Sequence, residues 1–270
     1  MSNGVYYSDI KIIKKPLKER IKTILKIFLF FAIVCGCFFS AKYLSSALTV
    51  GNLGSLIVYG DTKLKINEHT YFAVVLGEYL EKSEAEKVAL GSHIQGAAGY
   101  VWEKDKKFYV IGNVYTLIDD AQKVVSNLQG TQYNISIMEI NCPKLILDFS
   151  SYENSDMSII NKSIEIFDKI YSHLYDFSIK FDKGEVSHLA VSSGISELRG
   201  ELKGMIVKVQ NLINKSGGNL GKIQNSLIKL DELLDQTIIK TIDNTSTNYS
   251  LKYSIVSAIR IKYDLFVELS

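Results

Sequence analysis

Four histidines, His69, His93, His173 and His188, are the side chains best suited to metal binding or to proton transfer near neutral pH. They are scattered, and none has a metal-ligating companion at i+4; no His-Glu-x-x-His is present. Cys35 and Cys37 lie in an apolar run, which leaves Cys142 without a partner for a disulfide or a zinc site. Gly91-Ser92-His93 is not a nucleophile elbow, and Gly96-Ala97-Ala98-Gly99 is not a phosphate loop. Asp119-Asp120 reads as favourable charge at a helix start. The expectation is a non-catalytic protein with no metal and no cofactor. The residues that remain are Tyr71, Val75, Tyr100, Trp102 and Tyr109, four aromatics and a valine at alternating positions. Aromatic faces pack well on sugar C–H surfaces, so one reading is a glycan-binding platform. The other is packing against the C-terminal region or a second subunit.

Strands with period-two alternation must present that set. Tyr71–Leu76 is a β run ended by Gly77. Ser83 with Glu86 has the spacing of a capping box and predicts a helix to about Ile94. Tyr100–Trp102 and Phe108–Ile111 predict two strands around a Lys104-Asp105-Lys106 turn. Thr116 with Asp119 predicts a second helix through Ala121, Val124, Val125 and Leu128. Tyr133, Ile135 and Ile137 alternate in a fourth strand. The order β-α-β-β-α-β gives an α+β fold, a four-stranded antiparallel sheet with both helices on one face. Phe72, Val74, Leu76, Val101, Phe108 and Val110 then face the helices, and the aromatic set lies on the other side.

These residues resemble the SPOR (sporulation-related repeat) family of peptidoglycan-binding domains. The first strand and turn of that family are matched by Phe72-Ala73-Val74-Val75-Leu76-Gly77-Glu78-Tyr79. Ala85 in the first helix, Gly99 before the next strand, Phe108-Tyr109-Val110, Tyr115, Asp120-Ala121 and Leu128 continue the pattern. The resemblance covers residues 68–141, about a quarter of the chain. It implies binding of wall glycan strands without catalysis, through Tyr71, Val75, Tyr100, Trp102 and Tyr109. Val75 stands where the family often has Gln, and Gly112-Asn113-Val114 replaces its usual Val-Gly-Pro. A member that kept the fold and lost the ligand is the alternative. It would be a non-catalytic envelope scaffold acting through its C-terminal helices.

Charge is segregated along the chain. Residues 1–48 hold 8 Lys/Arg against 2 Asp/Glu, and residues 49–270 hold 23 against 27. A net charge of +2 argues against nucleic acid as a partner. The uncharged run Ile27–Ala41, extended by flanking residues whose lysines reach the interface, predicts a transmembrane helix within 24–48. The basic tail 1–23 then stays in the cytoplasm and residues 49–270 lie outside the cell membrane. A cleaved signal peptide, or lipidation of Cys37 in Val34-Cys35-Gly36-Cys37, are alternatives that the long basic n-region disfavours. Low Pro with abundant Ile, Lys and Asn resembles a low-GC bacterium. Sporulation or cell division is the setting the resemblance implies.

Residues 49–67 and 142–155 read as linkers, and 156–270 as an all-α helical bundle. Apolar stripes run through Ile160, Ile164, Phe167, Tyr171 and Leu174, through Ile195, Leu198, Leu202 and Val209, and through Leu220, Ile223, Leu227, Leu230 and Leu234. Tyr249, Val256, Ile259, Tyr263 and Phe266 suit a fourth helix. Such stripes form a core, with self-association or a protein partner as the other use of the same surface.

Overall fold

A computed structural model describes residues 57–58, 62–128, 133–213 and 218–270. The predicted transmembrane segment lies outside them. Among the described residues no helix is long and apolar enough to cross a membrane. From Gly54 onward the chain forms one compact unit of mixed α and β structure. Its strands are β1 (Ile57–Val58), β2 (Lys63–Ile66), β3 (His69–Tyr79), β4 (Tyr100–Lys104), β5 (Lys107–Tyr115), β6 (Ser136–Cys142) and β7 (Leu145–Asp148). Its helices are α1 (Lys82–His93), α2 (Ile118–Asn127), α3 (Asn154–Asp182), α4 (His188–Ile213), α5 (Asn219–Lys240) and α6 (Asn244–Leu269).

The larger sheet has the order β4-β5-β3-β6, antiparallel throughout, as the β-α-β-β-α-β succession requires. α1 and α2 cover one face. Leu76 and Val110 pack with Ala85 and Ala89 of α1, joined by Val101 and Phe108. Val74 packs with Ala121 of α2, joined by Phe72, Val124 and Val125. All six residues expected on the helix side are there. The ladder between β3 and β5 slips at Val74–Val75 and again before Gly77, so Gly112 and Leu76 have no opposite number. Two compensating irregularities keep the faces in phase on either side.

The linkers are corrected. Residues 63–66 and 145–148 are strands, and a second antiparallel sheet runs β1-β2-β7. The β2/β7 pair continues the β3/β6 pair. Ile66 is opposite Leu145, then His69 is opposite Cys142, with 67–68 and 143–144 as the bend. Pro143 has no N–H to give the ladder, so pairing breaks there and the ribbon turns. Leu64, Ile66, Leu145 and Leu147 are buried while Lys63, Ile146 and Asp148 point out. The alternation is too short to separate from loop composition by pattern alone.

Neither capping box forms. α1 starts at Lys82 with Glu81 as its N-cap and α2 at Ile118 with Leu117, both without a side-chain cap. A capping box does form at α6, where Asp243 Oδ1 accepts from Ser246 N at 2.8 Å and Ser246 Oγ accepts from Asp243 N at 3.2 Å.

The C-terminal helices form the expected bundle, but it is not separate. α3 pairs with α4 and α6, and α5 pairs with α4 and α6. Leu174, Ile195, Leu202, Ile223, Leu227, Leu230 and Leu234 are fully buried between them. α6 also lies across the larger sheet, against β4, β5 and β6. Gly99 shows how closely the layers are set. It has φ +57° before β4, and a Cβ there would sit 2.4 Å from the carbonyl oxygen of Ala89. We expect Gly99→Ala to lower unfolding stability by about 2 kcal/mol, combining strain and backbone collision. A denaturant titration measures it.

Candidate functional site

The ladder registers place Trp102 beside Tyr109, Tyr100 beside Ile111, and Ile111 beside Val75. One face of the larger sheet therefore does collect Tyr71, Val75, Tyr100, Trp102 and Tyr109. That face is not open. Tyr71 is 0% exposed, Val75 1% and Trp102 2%, and Tyr100 and Tyr109 are half-buried. What covers them is α6, with α3 beside it. Tyr253 of α6 packs 5.2 Å from Tyr100 and Tyr263 5.7 Å from Trp102, between ring centroids. The Arg260 guanidinium sits 4.6 Å over the Trp102 ring and its Nη1 donates to the Glu103 carbonyl at 3.3 Å. Tyr171 of α3 meets Tyr71 edge-on at 5.6 Å. Burial pushes the Tyr100 hydroxyl up to about 12 and that of Tyr71 well above its ordinary value. These aromatics pack against the C-terminal region, the second of the two readings the sequence allows.

At one edge of this face lies a buried polar cluster. Lys262 of α6, 5% exposed, donates from Nζ to Asp168 Oδ1 of α3 at 2.5 Å and to the Tyr71 hydroxyl at 3.0 Å. The Tyr71 hydroxyl in turn lies 3.3 Å from Asp168 Oδ1. A buried ammonium is costly unless it is paired and hydrogen-bonded, and here it is both. The cluster ties the sheet to two helices at once. Sequence reasoning missed it, although a signal exists. Asp168 falls between Ile164 and Tyr171, and Lys262 between Ile259 and Phe266, each at helical spacing within its apolar stripe. A charge on a buried stripe implies a partner.

His69 and Cys142 adjoin the cluster as opposite residues of β3 and β6. Burial raises the Cys142 thiol to about 11, so it is an inert core thiol at neutral pH. The His69 ring meets Tyr71 at 4.4 Å, and its buried Nε2 has no hydrogen-bond partner among the described residues. Burial, and then the Lys262 charge, lower the His69 pKa, while Asp168 opposes them. His93 instead stacks on Tyr249 at 4.8 Å, and its Nε2 lies 2.9 Å from the Ala98 carbonyl oxygen. Among the described residues no group of His, Cys, Asp and Glu is arranged to hold a metal.

No family model matches this chain, and none of the curated proteins or solved structures matches it either.

Two outcomes follow from this packing. Trp102→Ala, in a site sealed by Tyr263 and Arg260, should cost about 3–5 kcal/mol of stability, read from urea unfolding. A surface-exposed Trp would cost far less. For His69, the proton is taken up more readily by the unfolded chain, whose imidazole titrates near 6.5. Stability is therefore flat above that value and falls as the pH drops below it, down to the depressed folded value. His69→Gln should flatten the stability profile between pH 7 and 5, measured by melting temperature.

Proposed function

We propose that this protein is a single-pass, non-catalytic scaffold of a bacterial cell envelope. Its N-terminus is cytoplasmic and residues 49–270 lie outside the membrane. The SPOR-like sheet is a structural platform, and the helical region supplies the working surface. The observation that carries this reading is the occupation of the sheet's aromatic face by α6, with Trp102 and Tyr71 in the core. A glycan reaching Tyr71, Val75, Tyr100, Trp102 and Tyr109 would have to displace that helix. Twelve α6 residues are buried, among them Leu251, Ile255, Val256, Ile259, Leu265 and Phe266. At about 1.5–3 kcal/mol for each large apolar side chain, exposing them costs more than a weak glycan contact returns. The asymmetric charge and the apolar run of residues 24–48 support the membrane anchor.

The outer surface of the bundle keeps apolar residues in water. Leu189 and Val207 of α4 are 69% and 59% exposed, and Ile228 of α5 is 39% exposed. Leu189→Glu, Val207→Glu and Ile228→Glu, each made in the full chain fused to a fluorescent protein, test the reading. At least one should spread the fusion evenly around the membrane while melting temperature is kept. Lys123→Glu on the α2 surface should leave it in place. If all three bundle variants localise like the parent, the helical region is not the working surface.

A further inference from the structure

The β2/β7 pair of the small sheet has one side in the core and one in water. Leu64, Ile66, Leu145 and Leu147 take the buried side. The outer side is built around Ile146, a large apolar residue left 65% exposed in a four-residue strand. Its neighbours follow from the ladder. Lys65 stands directly opposite, and Lys63 is the next outward residue of β2. Lys144, exposed, lies two residues before Ile146 in the chain. Asp148 completes the ring opposite Lys63, its Oδ1 accepting from Ser150 N at 2.9 Å. Three lysines and one aspartate thus surround a single isoleucine. Glu68 follows in the bend, beyond the strand pair.

An apolar side chain ringed by lysines suits the boundary between lipid headgroups and acyl chains. The isoleucine enters the apolar layer, the lysine stems pack beside it, and the ammonium groups meet phosphates. The position in the chain points the same way. The predicted transmembrane segment ends at residue 48 and β1 starts at Ile57, which leaves the eight residues 49–56 between them. Eight residues reach no more than about 29 Å even when fully extended. β1 pairs with β2, and β2 with β7. Of the two sheets, this one is tied nearest to the bilayer along the chain.

We propose that the outer side of the β2/β7 pair docks on the anionic headgroups of the membrane that anchors the chain, with Ile146 entering the interface and Lys63 and Lys144 meeting lipid phosphates. The proposal rests on the transmembrane anchor of the reading above. Docking there holds the tethered unit in one orientation instead of letting it swing on its spacer. It uses neither the aromatic face of the larger sheet nor the outer sides of α4 and α5.

The full chain in lipid nanodiscs, with benzoylphenylalanine in place of Ile146, tests this. Light should attach the probe to lipid in discs that contain phosphatidylglycerol, as read by mass spectrometry. In phosphatidylcholine discs, or at about 0.5 M salt, the adduct should fall about fivefold or more. Lys63→Glu combined with Lys144→Glu should lower it to a similar extent while melting temperature is kept. The same probe in place of Val207, on the bundle, gives the background. An adduct at position 146 no stronger than that at 207 overturns the proposal. So does an adduct that ignores lipid charge, salt and both lysines. A covalent dimer in place of the lipid adduct also overturns it, and gives the face to a second copy of the chain. Alkaline carbonate washing of vesicles carrying the full chain separates this proposal from the anchor. If the chain stays with the lipid but position 146 forms no lipid adduct, the docking surface is wrong and the anchor stands. If carbonate strips the chain from the lipid, the anchor is wrong and the docking surface falls with it.

Discussion

The central strand β3 is apolar on both sides. Val74 and Leu76 face one way and Tyr71, Ala73 and Val75 the other, and all five are almost fully buried. A sheet of this composition cannot leave either face in water, because each exposed face would forfeit several large side chains' worth of burial. α1 and α2 close the first face. The second has to be closed from elsewhere in the chain, and α6 closes it. Much of the architecture follows from that demand. α6 is pressed between the sheet and the rest of the bundle, so it is buried nearly all round rather than along one stripe. Its small residues Ser250, Ser254, Ser257 and Ala258 are among those buried, where larger side chains would hold its neighbours apart. Thr237 of α5 reaches in to bond Ser254 at 2.6 Å, which ties the bundle to the same helix.

The Lys262–Asp168–Tyr71 cluster sits in this interface as a buried, paired charge. Its net contribution to stability is not large by itself, since desolvation offsets much of the attraction. What it adds is directional. Apolar packing tolerates a helix sliding by a turn, whereas an ammonium that must meet one carboxylate and one phenol does not. The cluster thus fixes the register of α6 and α3 against β3, and with it the stacking of Tyr253 and Tyr263 on Tyr100 and Trp102.

Burial of the aromatic face removes it from the accessible surface of the described residues. Sugar platforms and protein cores draw on the same side chains, and an alternating strand cannot tell which one it serves. With the face occupied, apolar side chains that stay in water include Leu189, Val207 and Ile228 on the outer sides of α4 and α5. Those positions are ones the sequence pattern treats as helix exteriors. For that reason Leu189, Val207 and Ile228 carry no signal of their own in a single sequence.

What the residues determine alone is local. Period-two alternation is enough for the order of the four strands of the larger sheet, although the first runs on through Gly77 to Tyr79 and the fourth is Ser136–Cys142 rather than starting at Tyr133, because pairing with the neighbouring strand sets where each one ends. Spacings of three and four are enough for the stripes of the bundle, because backbone geometry sets both periods. Short elements such as β2 and β7 escape this, since four residues of alternation look like loop. The N-caps escape as well. Ser83 and Thr116 have the right spacing, but the chain enters each helix at the angle the sheet allows, and Glu81 and Leu117 take the position. Whether an aromatic face is a site or a core is a question of what lies above it. Residues 71 and 262 meet across 191 positions of chain. No local pattern encodes such a contact, so only the tertiary structure decides it.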